Sequence, residues 1–361
     1  MHFTNLSLTG FRNYSQLDIE LSKGVNLFVG SNGKGKTNLL EAIFFLATMS
    51  SFRVSATDIL IKTDSNVSQA IIRGEVVSDS RKILLEAAIR QSGRSHFQVN
   101  RQRINRSDLL GLIPISVFVP DDLVIIKGGP NERRRYLDNT LIQIDPSLNN
   151  VRSDIENILR QRNALLRQSR GKLDVGIITT LDVWDDKFVI AAEKLARARR
   201  SLVEKLKSKV AESYTKISGK SPLIEMNYKS TWPPGELREI LYKVRQEDLA
   251  RGISTVGPHR DDLLIYLNGI PARTHASQGE QRLLILAMRL AAHRELAEIT
   301  KQSPVLLLDD VLSEFDSNIS QGVLTTLEAE QTFLTTAGEL PTGIVCSTRF
   351  QVSNGEVNIL S

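Results

Sequence analysis

Apolar and polar residues alternate with a period of two through most of residues 1–30, and LSLTGF and LDIEL both follow that pattern. The segment VNLFVG is instead a nearly continuous apolar run, as expected of a strand covered on both faces. A glycine-rich turn follows. Leu39, Leu40, Ile43, Phe44 and Ala47 then recur at helical spacing and predict a helix from Thr37 to about Met49. QAIIRGEVV, ILLEAAIRQ and HFQVNRQRI read as further strands, and the apolar stretch IPISVFVPDDLVII runs on to Gly128-Gly129-Pro130.

From about Asn131 the pattern becomes helical. NERRRYLDNTLIQ, residues 149–168 and Leu181 to about Ile217 each carry an apolar stripe at helical spacing. The last of these is too long for a surface helix of a compact head and predicts, with an antiparallel neighbour, an arm or helical lobe. Ser218-Gly219-Lys220-Ser221-Pro222 and Trp232-Pro233-Pro234-Gly235 punctuate its far end. From Arg251 short strands return, then a helix from Gly279, a strongly apolar strand at Val305–Leu308 and a further strand at Gln331–Thr336. The predicted architecture is an α/β head built from both chain ends, residues 1–128 and 252–361, with a mainly helical lobe inserted at 129–251.

Composition narrows this picture only slightly. Of 361 residues, 41% are hydrophobic and 24% charged, which is ordinary for a globular chain and excludes a disordered or collagen-like one. The net charge of +5 permits an anionic partner without demanding one. Residues 151–210 alone carry 14 Lys/Arg against 8 Asp/Glu, so the lobe holds the basic excess. Cys346 is the only cysteine, which removes intrachain disulfides and cysteine-based zinc sites. The histidines, His2, His96, His259, His275 and His293, do not fall at metal-ligand spacing. MHFTNLSLTGFRNY lacks the apolar core of a signal peptide, and no run approaches the ~20 apolar residues of a membrane span. A soluble cytoplasmic protein without membrane partners is expected.

Gly30-Ser31-Asn32-Gly33-Lys34-Gly35-Lys36-Thr37 fits the phosphate-binding loop G-x-x-x-x-G-K-[ST] in full, between an apolar strand and a helix as the motif requires. Glycines let the backbone wrap around phosphates with its N–H groups inward. The helix N-terminus adds partial positive charge, Lys36 reaches the β/γ oxygens of ATP, and the Thr37 hydroxyl can ligate Mg²⁺. Val305-Leu306-Leu307-Leu308-Asp309-Asp310 supplies the complementary element: Asp309 is assigned to magnesium and Asp310 to the attacking water. Such a pair is weak evidence alone and strong beside a complete phosphate loop.

Ser277-Gln278-Gly279-Glu280-Gln281 opens a helix with a hydroxyl, a glycine and free N–H groups. Here the head resembles the ABC-type ATPases, whose signature contacts the γ-phosphate held by an opposing subunit. Against Leu-Ser-Gly-Gly-Gln, only Ser277 and Gly279 match, and a plain N-capped helix is the alternative. Ser313-Glu314-Phe315-Asp316 resembles the interface loop of the same ATPases, and Thr335 and Thr336 stand where many relatives place a switch histidine.

A narrower resemblance rests on Gly10-Phe11-Arg12-Asn13-Tyr14, Ser51-Phe52-Arg53 and Gly128-Gly129-Pro130 with Arg133-Arg134-Arg135-Tyr136-Leu137-Asp138. Gly257-Pro258-His259-Arg260-Asp261-Asp262 and the degenerate signature complete it. Together these look like the RecF family of bacterial recombination mediators, which are similar to the heads of SMC-type chromosome proteins without the long coiled coil. The resemblance implies a slow, DNA-stimulated ATPase used as a switch. ATP would close a head-to-tail homodimer on single-stranded, gapped or junction DNA, RecO and RecR would help load recombinase, and replication restart and SOS induction would follow. It also makes Arg12 and Arg53 candidates for nucleotide phosphate or DNA, with a surface ion pair as the alternative.

Arg133, Arg134 and Arg135 begin a helix, where positive charge opposes the macrodipole and suggests an anion partner, although a solvated face explains them equally well. His259 has no nucleophile beside it and is expected at a polar interface rather than in catalysis. No zinc finger or helix-turn-helix is present, and at 6% aromatics base stacking is not the expected mode of DNA binding. Sequence-independent phosphate contact by the basic lobe is. Two other readings of the phosphate loop are a metabolic kinase and the motor of a membrane transporter. The first needs an acceptor pocket and a nearby lid, and the second a more compact helical insertion.

Overall fold

The computed structural model describes the chain except residues 55, 64–66, 79–80, 94, 170–173, 327–328, 339–344 and 361, and all but the side chain of Glu314. The chain runs from β1 (His2–Phe11), β2 (Tyr14–Glu20) and β3 (Gly24–Val29) into α1 (Lys36–Thr48). Next come β4 (Gln69–Ser78), β5 (Arg81–Arg90), β6 (His96–Val99), β7 (Gln102–Arg103), the single turn α2 (Arg106–Leu109) and β8 (Ile115–Phe118). The helical stretch comprises α3 (Val124–Lys127), α4 (Pro130–Ile144), α5 (Ser147–Gln168) and α6 (Val175–Ser218). It is followed by β9 (Ile224–Lys229), α7 (Leu237–Arg251), β10 (Asp262–Leu267), β11 (Ile270–Pro271) and α8 (Ala272–His275). The chain closes with α9 (Gln278–Thr300), β12 (Val305–Asp309), α10 (Ser317–Thr326), β13 (Gln331–Thr336), β14 (Thr348–Ser353) and β15 (Glu356–Leu360).

Two compact units emerge: Met1–Asp122 with Glu212–Ser221 and Arg282–Ser361, and Leu123–Ala211 with Pro222–Gln281. The first is thus built from both chain ends. Its boundaries differ from the expected 251/252 break, since residues 252–281 group with the second unit. The reason is local: β10 pairs with β9 along its whole length, and the Arg133 side chain of α4 is anchored on Asp262.

In the first unit, β15-β14-β3-β13-β12-β8 form one sheet, parallel throughout except for the final β14–β15 hairpin. A second, antiparallel sheet runs β2-β1-β4-β5-β6-β7. Helix α1 touches strands of both sheets, β4 and β5 of one and β8, β12 and β13 of the other. Leu39, Leu40, Ile43, Phe45 and Leu46 are accordingly buried, at ~1.5–3 kcal/mol for each side chain of that size. The expected one-sided stripe is therefore a helix enclosed on nearly all sides, which buries the charged Glu41 as well. Strand β12 is buried at every position, as its unbroken apolar run requires.

In the second unit, α5, α6 and α7 enclose Ile155, Ile158, Phe188, Leu195, Leu237 and Leu241. Helix α6 spans 44 residues and begins at Val175, not Leu181. Asp174 caps it by accepting the Ile177 N–H at 2.8 Å, so the start is marked by a polar residue and an exposed turn that hydrophobic spacing cannot register. A buried ionic network ties the three helices. Arg162, fully enclosed, donates to Asp185 (2.7 Å), Asp248 (2.6 Å) and Ser254 (2.9 Å), and Arg245 donates to Asp182 and Asp185.

Candidate functional site

The phosphate loop is braced from two directions before any ligand arrives. Gly35 is the N-cap of α1 with φ 111°, a left-handed backbone open to glycine, and a Cβ there would lie 2.4 Å from the Asn13 side chain. Asn13 donates to the Lys34 carbonyl at 3.1 Å and Tyr14 donates to the Gly35 carbonyl at 3.0 Å. Burial raises the Tyr14 phenol above its ordinary value and keeps it a donor. On the other side the β14–β15 turn closes in. The Lys34 ammonium donates to Asn354 Oδ1 at 2.8 Å, and a Cβ on Gly30 would lie 2.3 Å from the Val352 carbonyl.

Within that frame the catalytic candidates converge. Lys36 is buried and donates to the carbonyls of Gly30 (2.6 Å) and Ser31 (3.1 Å), bending its ammonium back over the loop. Desolvation lowers its pKa, while Asp310 and Asp309 act in the opposite sense. Thr37 donates its hydroxyl toward both oxygens of Asp309, at 2.9 and 2.8 Å, and Thr335 donates to the same carboxylate at 2.7 Å. Burial raises the Asp309 carboxyl, and the two threonine hydrogen bonds oppose that rise. Asp310 adopts φ 51° at the end of β12, and its N–H is held by Thr335 at 2.9 Å. Its Oδ1 is buried without a hydrogen-bond partner among the described residues. A hydroxyl of the phosphate loop thus meets the Asp309 carboxylate, with the Asp310 carboxylate next in the chain. This donor set fits a hard divalent cation bound with a nucleotide triphosphate.

Among the switch candidates, Thr335 lies inside the site, whereas Thr336 turns to Gly338. Ser313 donates to the Asp310 carbonyl at 2.8 Å. Asp316 caps α10 by accepting the Ile319 N–H at 2.9 Å. The side chain of Glu314 lies outside the described residues.

The arginine candidates separate. Arg12 grips Glu41 with two hydrogen bonds of 2.8 Å and donates to the Ile59 carbonyl at 3.2 Å. It is an internal strut of α1, with its charge matched by a fully buried carboxylate. Arg53 is 43% exposed, donates to Asn38 at 2.9 Å and stands 3.8 Å from Glu41. Its positive charge contributes to lowering the Asp309 carboxyl, against the rise caused by burial. Asn13, Tyr14, Asn38, Glu41 and Asn354 were not singled out from the sequence, although Asn13 and Tyr14 lie in a quoted motif. A lone glutamate on an apolar helix face was the available signal for Glu41.

In the second unit, Arg133 makes a bidentate pair with Asp262 (2.7 and 2.9 Å) and donates to the Gly128 carbonyl, while Arg134 donates to the Asp261 carbonyl at 2.5 Å. Arg135 pairs with Glu132 at 2.9 Å. The unfavourable placement of positive charge at a helix start is therefore compensated by carboxylates and carbonyls of the same chain, and no external anion is needed. His259 lies largely enclosed, its Nε2 3.0 Å from the Ser254 carbonyl, with a pKa lowered to about 4 by burial. At that value the ring is neutral near pH 7.

Ser277 is the N-cap of α9, and Glu280 folds back on it. The Glu280 carboxylate accepts the Ser277 N–H and hydroxyl, both at 2.8 Å, and the Ser277 oxygen accepts the Glu280 N–H at 3.3 Å. This is a capping box, read from S-x-x-E, and the acceptor at this helix start is the chain's own carboxylate. Gln278 and Gly279 are exposed beside it.

Comparison with known proteins identifies the family. Residues 2–341 match the RecF/RecN/SMC N terminal domain family. The DNA replication and repair protein RecF of Acidothermus cellulolyticus is 39% identical, covering 99% of this chain and 100% of that protein. The protein of the same name from Streptomyces avermitilis is 37% identical, with 99% of both chains covered. A structure described as the recombination mediator protein RecF with ATP in the RecFOR pathway superposes with TM-score 0.90 at 31% identity, covering 100% of this chain and 98% of the other. An SMC head bound to the C-terminal winged-helix domain of ScpA shares the fold alone, at TM-score 0.59 and 17% identity. With an α/β head of the ABC/SMC type and matches that run the length of the chain, this protein belongs to the RecF family.

Proposed function

We propose that this protein is an ATP-gated, DNA-binding switch of recombinational repair. The observation that carries the reading is the convergence of Thr37 on both oxygens of Asp309 beside Lys36. Thr37 and Asp309 would hold Mg²⁺ and Lys36 the β/γ-phosphates, and the bound Mg-ATP supplies a cleavable anhydride with much of its charge neutralised. Lys36 exchanges its two carbonyl partners for phosphate oxygens, a substitution that leaves the ammonium satisfied. Asp310, with its unpaired Oδ1, orients and deprotonates water. Thr335 holds both aspartates and so couples the metal side of the site to the water side. Arg53 adds positive charge from the exposed rim.

The triphosphate would also be the contact between two copies, with Ser277 and Gly279 of one closing over the nucleotide on the other. Glu280 must first release the Ser277 N–H and hydroxyl, so the capping box sets a threshold against closure without nucleotide. Hydrolysis removes the bridging phosphate and resets the dimer, a slow turnover that times residence on gapped or junction DNA. RecO and RecR would be its partners in loading recombinase, with roles in replication restart and SOS induction in the cytoplasm. No helix among the described residues is long and apolar enough to cross a membrane.

The test is multi-angle light scattering of the purified protein with and without Mg-ATP, repeated with a gapped duplex. The expected result is a monomer that doubles its mass with nucleotide. A protein that stays monomeric under saturating Mg-ATP and gapped DNA would overturn the reading.

A further inference from the structure

The antiparallel sheet of the first unit carries a charge gradient across its outer face. On β5, Leu85, Ala87 and Ile89 point into the core, so Glu86, Ala88 and Arg90 point outward. Cross-strand partners share a face: His96 lies opposite Ala88, Gln98 opposite Glu86 and Arg103 opposite Gln98. At the far edge, Asp18 and Glu20 of β2 lie opposite Ser7 and Asn5 on the same outer face. The middle of the sheet is balanced by the Arg73–Glu86 and Lys82–Glu75 pairs. The face is thus acidic at β2, neutral in the centre and basic at β6–β7.

The basic edge has no acidic counterweight in the local sequence. Between Glu86 and Asp108 the chain carries no acidic residue. Arg90, Arg101 and Arg103 are exposed, and none of the three has a carboxylate within ion-pair distance among the described residues. Arg103 lies 3.3 Å from the His96 ring, and His96 is held below its ordinary value by desolvation and then by Arg103 and Arg90, so the three share one patch. Arg101 sits in the Asn100–Arg101 turn with φ 67°, where glycine is the favoured residue. An arginine is kept at a backbone position that disfavours it.

We infer that the β6–β7 edge, through Arg90, Arg101 and Arg103, is a docking surface for the sugar–phosphate backbone of double-stranded nucleic acid. From strand spacing and rise, the backbones of Arg90 and Arg103 lie roughly 17 Å apart across the face, about the length of five base steps. Phe97, the aromatic of this edge, packs on Phe45 with the rings tilted by 37°. The surface therefore offers charge without a stacking platform and reads phosphate, not bases. The inference rests on the proposed DNA-binding function and assigns it to a sheet edge in the first unit instead of the basic helical lobe.

The experiment is fluorescence anisotropy of a labelled duplex with wild type, R90Q/R101G/R103Q and R90K/R101K/R103K in Mg-ATP across a salt series. Glycine suits the left-handed position at 101, so the neutral variant loses charge without added strain. It should bind at least about tenfold more weakly at low salt, with the slope of log K against log[salt] shallower by about 2–3. The lysine variant should keep the wild-type slope. An unchanged slope in the neutral variant, or a lysine variant as weak as the neutral one, overturns this surface while leaving DNA binding intact. A wild type that binds gapped DNA but no intact duplex overturns this surface alone, and one that binds neither overturns the functional reading with it.

Discussion

Thr335 donates its hydroxyl to Asp309 at 2.7 Å and, through the same oxygen, accepts the backbone N–H of Asp310 at 2.9 Å. One side chain on β13 therefore sets both neighbouring aspartates at the end of β12. Because β12 and β13 are parallel and in register at Asp309 and Thr335, the relationship is built into the sheet.

Asp309 is a carboxylate whose pKa is raised in the folded chain, chiefly by desolvation. The folded state then binds more protons than the unfolded state between the two pKa values, so stability falls as pH rises through the folded value. Asp309→Asn is expected to raise the Tm of the nucleotide-free protein at pH 7 while losing Mg²⁺-dependent nucleotide binding. Differential scanning fluorimetry with and without Mg-ATP measures both, and a lower Tm without ligand would contradict it.

Lys36 supplies the buried ammonium over the loop. Its replacement by alanine removes charged hydrogen bonds worth about 1.5–3 kcal/mol each, a loss of at least tenfold in nucleotide affinity. Equilibrium binding of a fluorescent ATP analogue is the measurement. Wild-type affinity in the variant would move phosphate recognition away from this loop.

The capping box makes opposite predictions for two changes at one helix start. Ser277→Arg should leave nucleotide binding in the monomer intact and block dimerisation. Glu280→Gln weakens the competitor for the Ser277 donors and should lower the ATP concentration needed for the dimer severalfold, at the cost of about 0.5–1 kcal/mol of helix capping. Light scattering across an ATP titration reads both effects, and a Ser277→Arg variant that still dimerises would remove Ser277 from the interface.

His259 is held at about 4 by burial, against an ordinary 6.5. The lowered value means that the unfolded chain binds the extra proton first. Stability present above pH 6.5 is lost as pH falls toward 4, on the order of 3 kcal/mol at most. His259→Asn should flatten this part of the curve in urea unfolding measured between pH 4 and 7, and an unchanged pH slope would show that the ring is not a determinant.

Much of the site was legible because its chemistry is written in consecutive residues. Gly30 to Thr37 needs only a strand before it and a helix after it, and the apolar run ahead of Asp309 specifies a strand buried on both faces. Local propensity and periodicity also marked α1, β12 and β13. Position 133 shows the limit. Three arginines at a helix start look like an anion site until β10 brings Asp262 against the first of them, a contact across 129 residues that spacing along the chain does not encode.

The same division holds for the rest of the molecule. Residues close together in the chain were enough to specify the phosphate loop, the paired aspartates and the strands and helices that flank them, but not β9, α7, α10, β14 or β15. Folding in three dimensions was needed to establish that Arg12 is neutralised by Glu41 while the exposed Arg53 leans on Asn38, that Glu280 occupies the Ser277 donors, and that basic residues gather at one sheet edge. These outcomes depend on which charge lies within hydrogen-bond reach of which, and electrostatic partnership in a folded chain is set by distance in space.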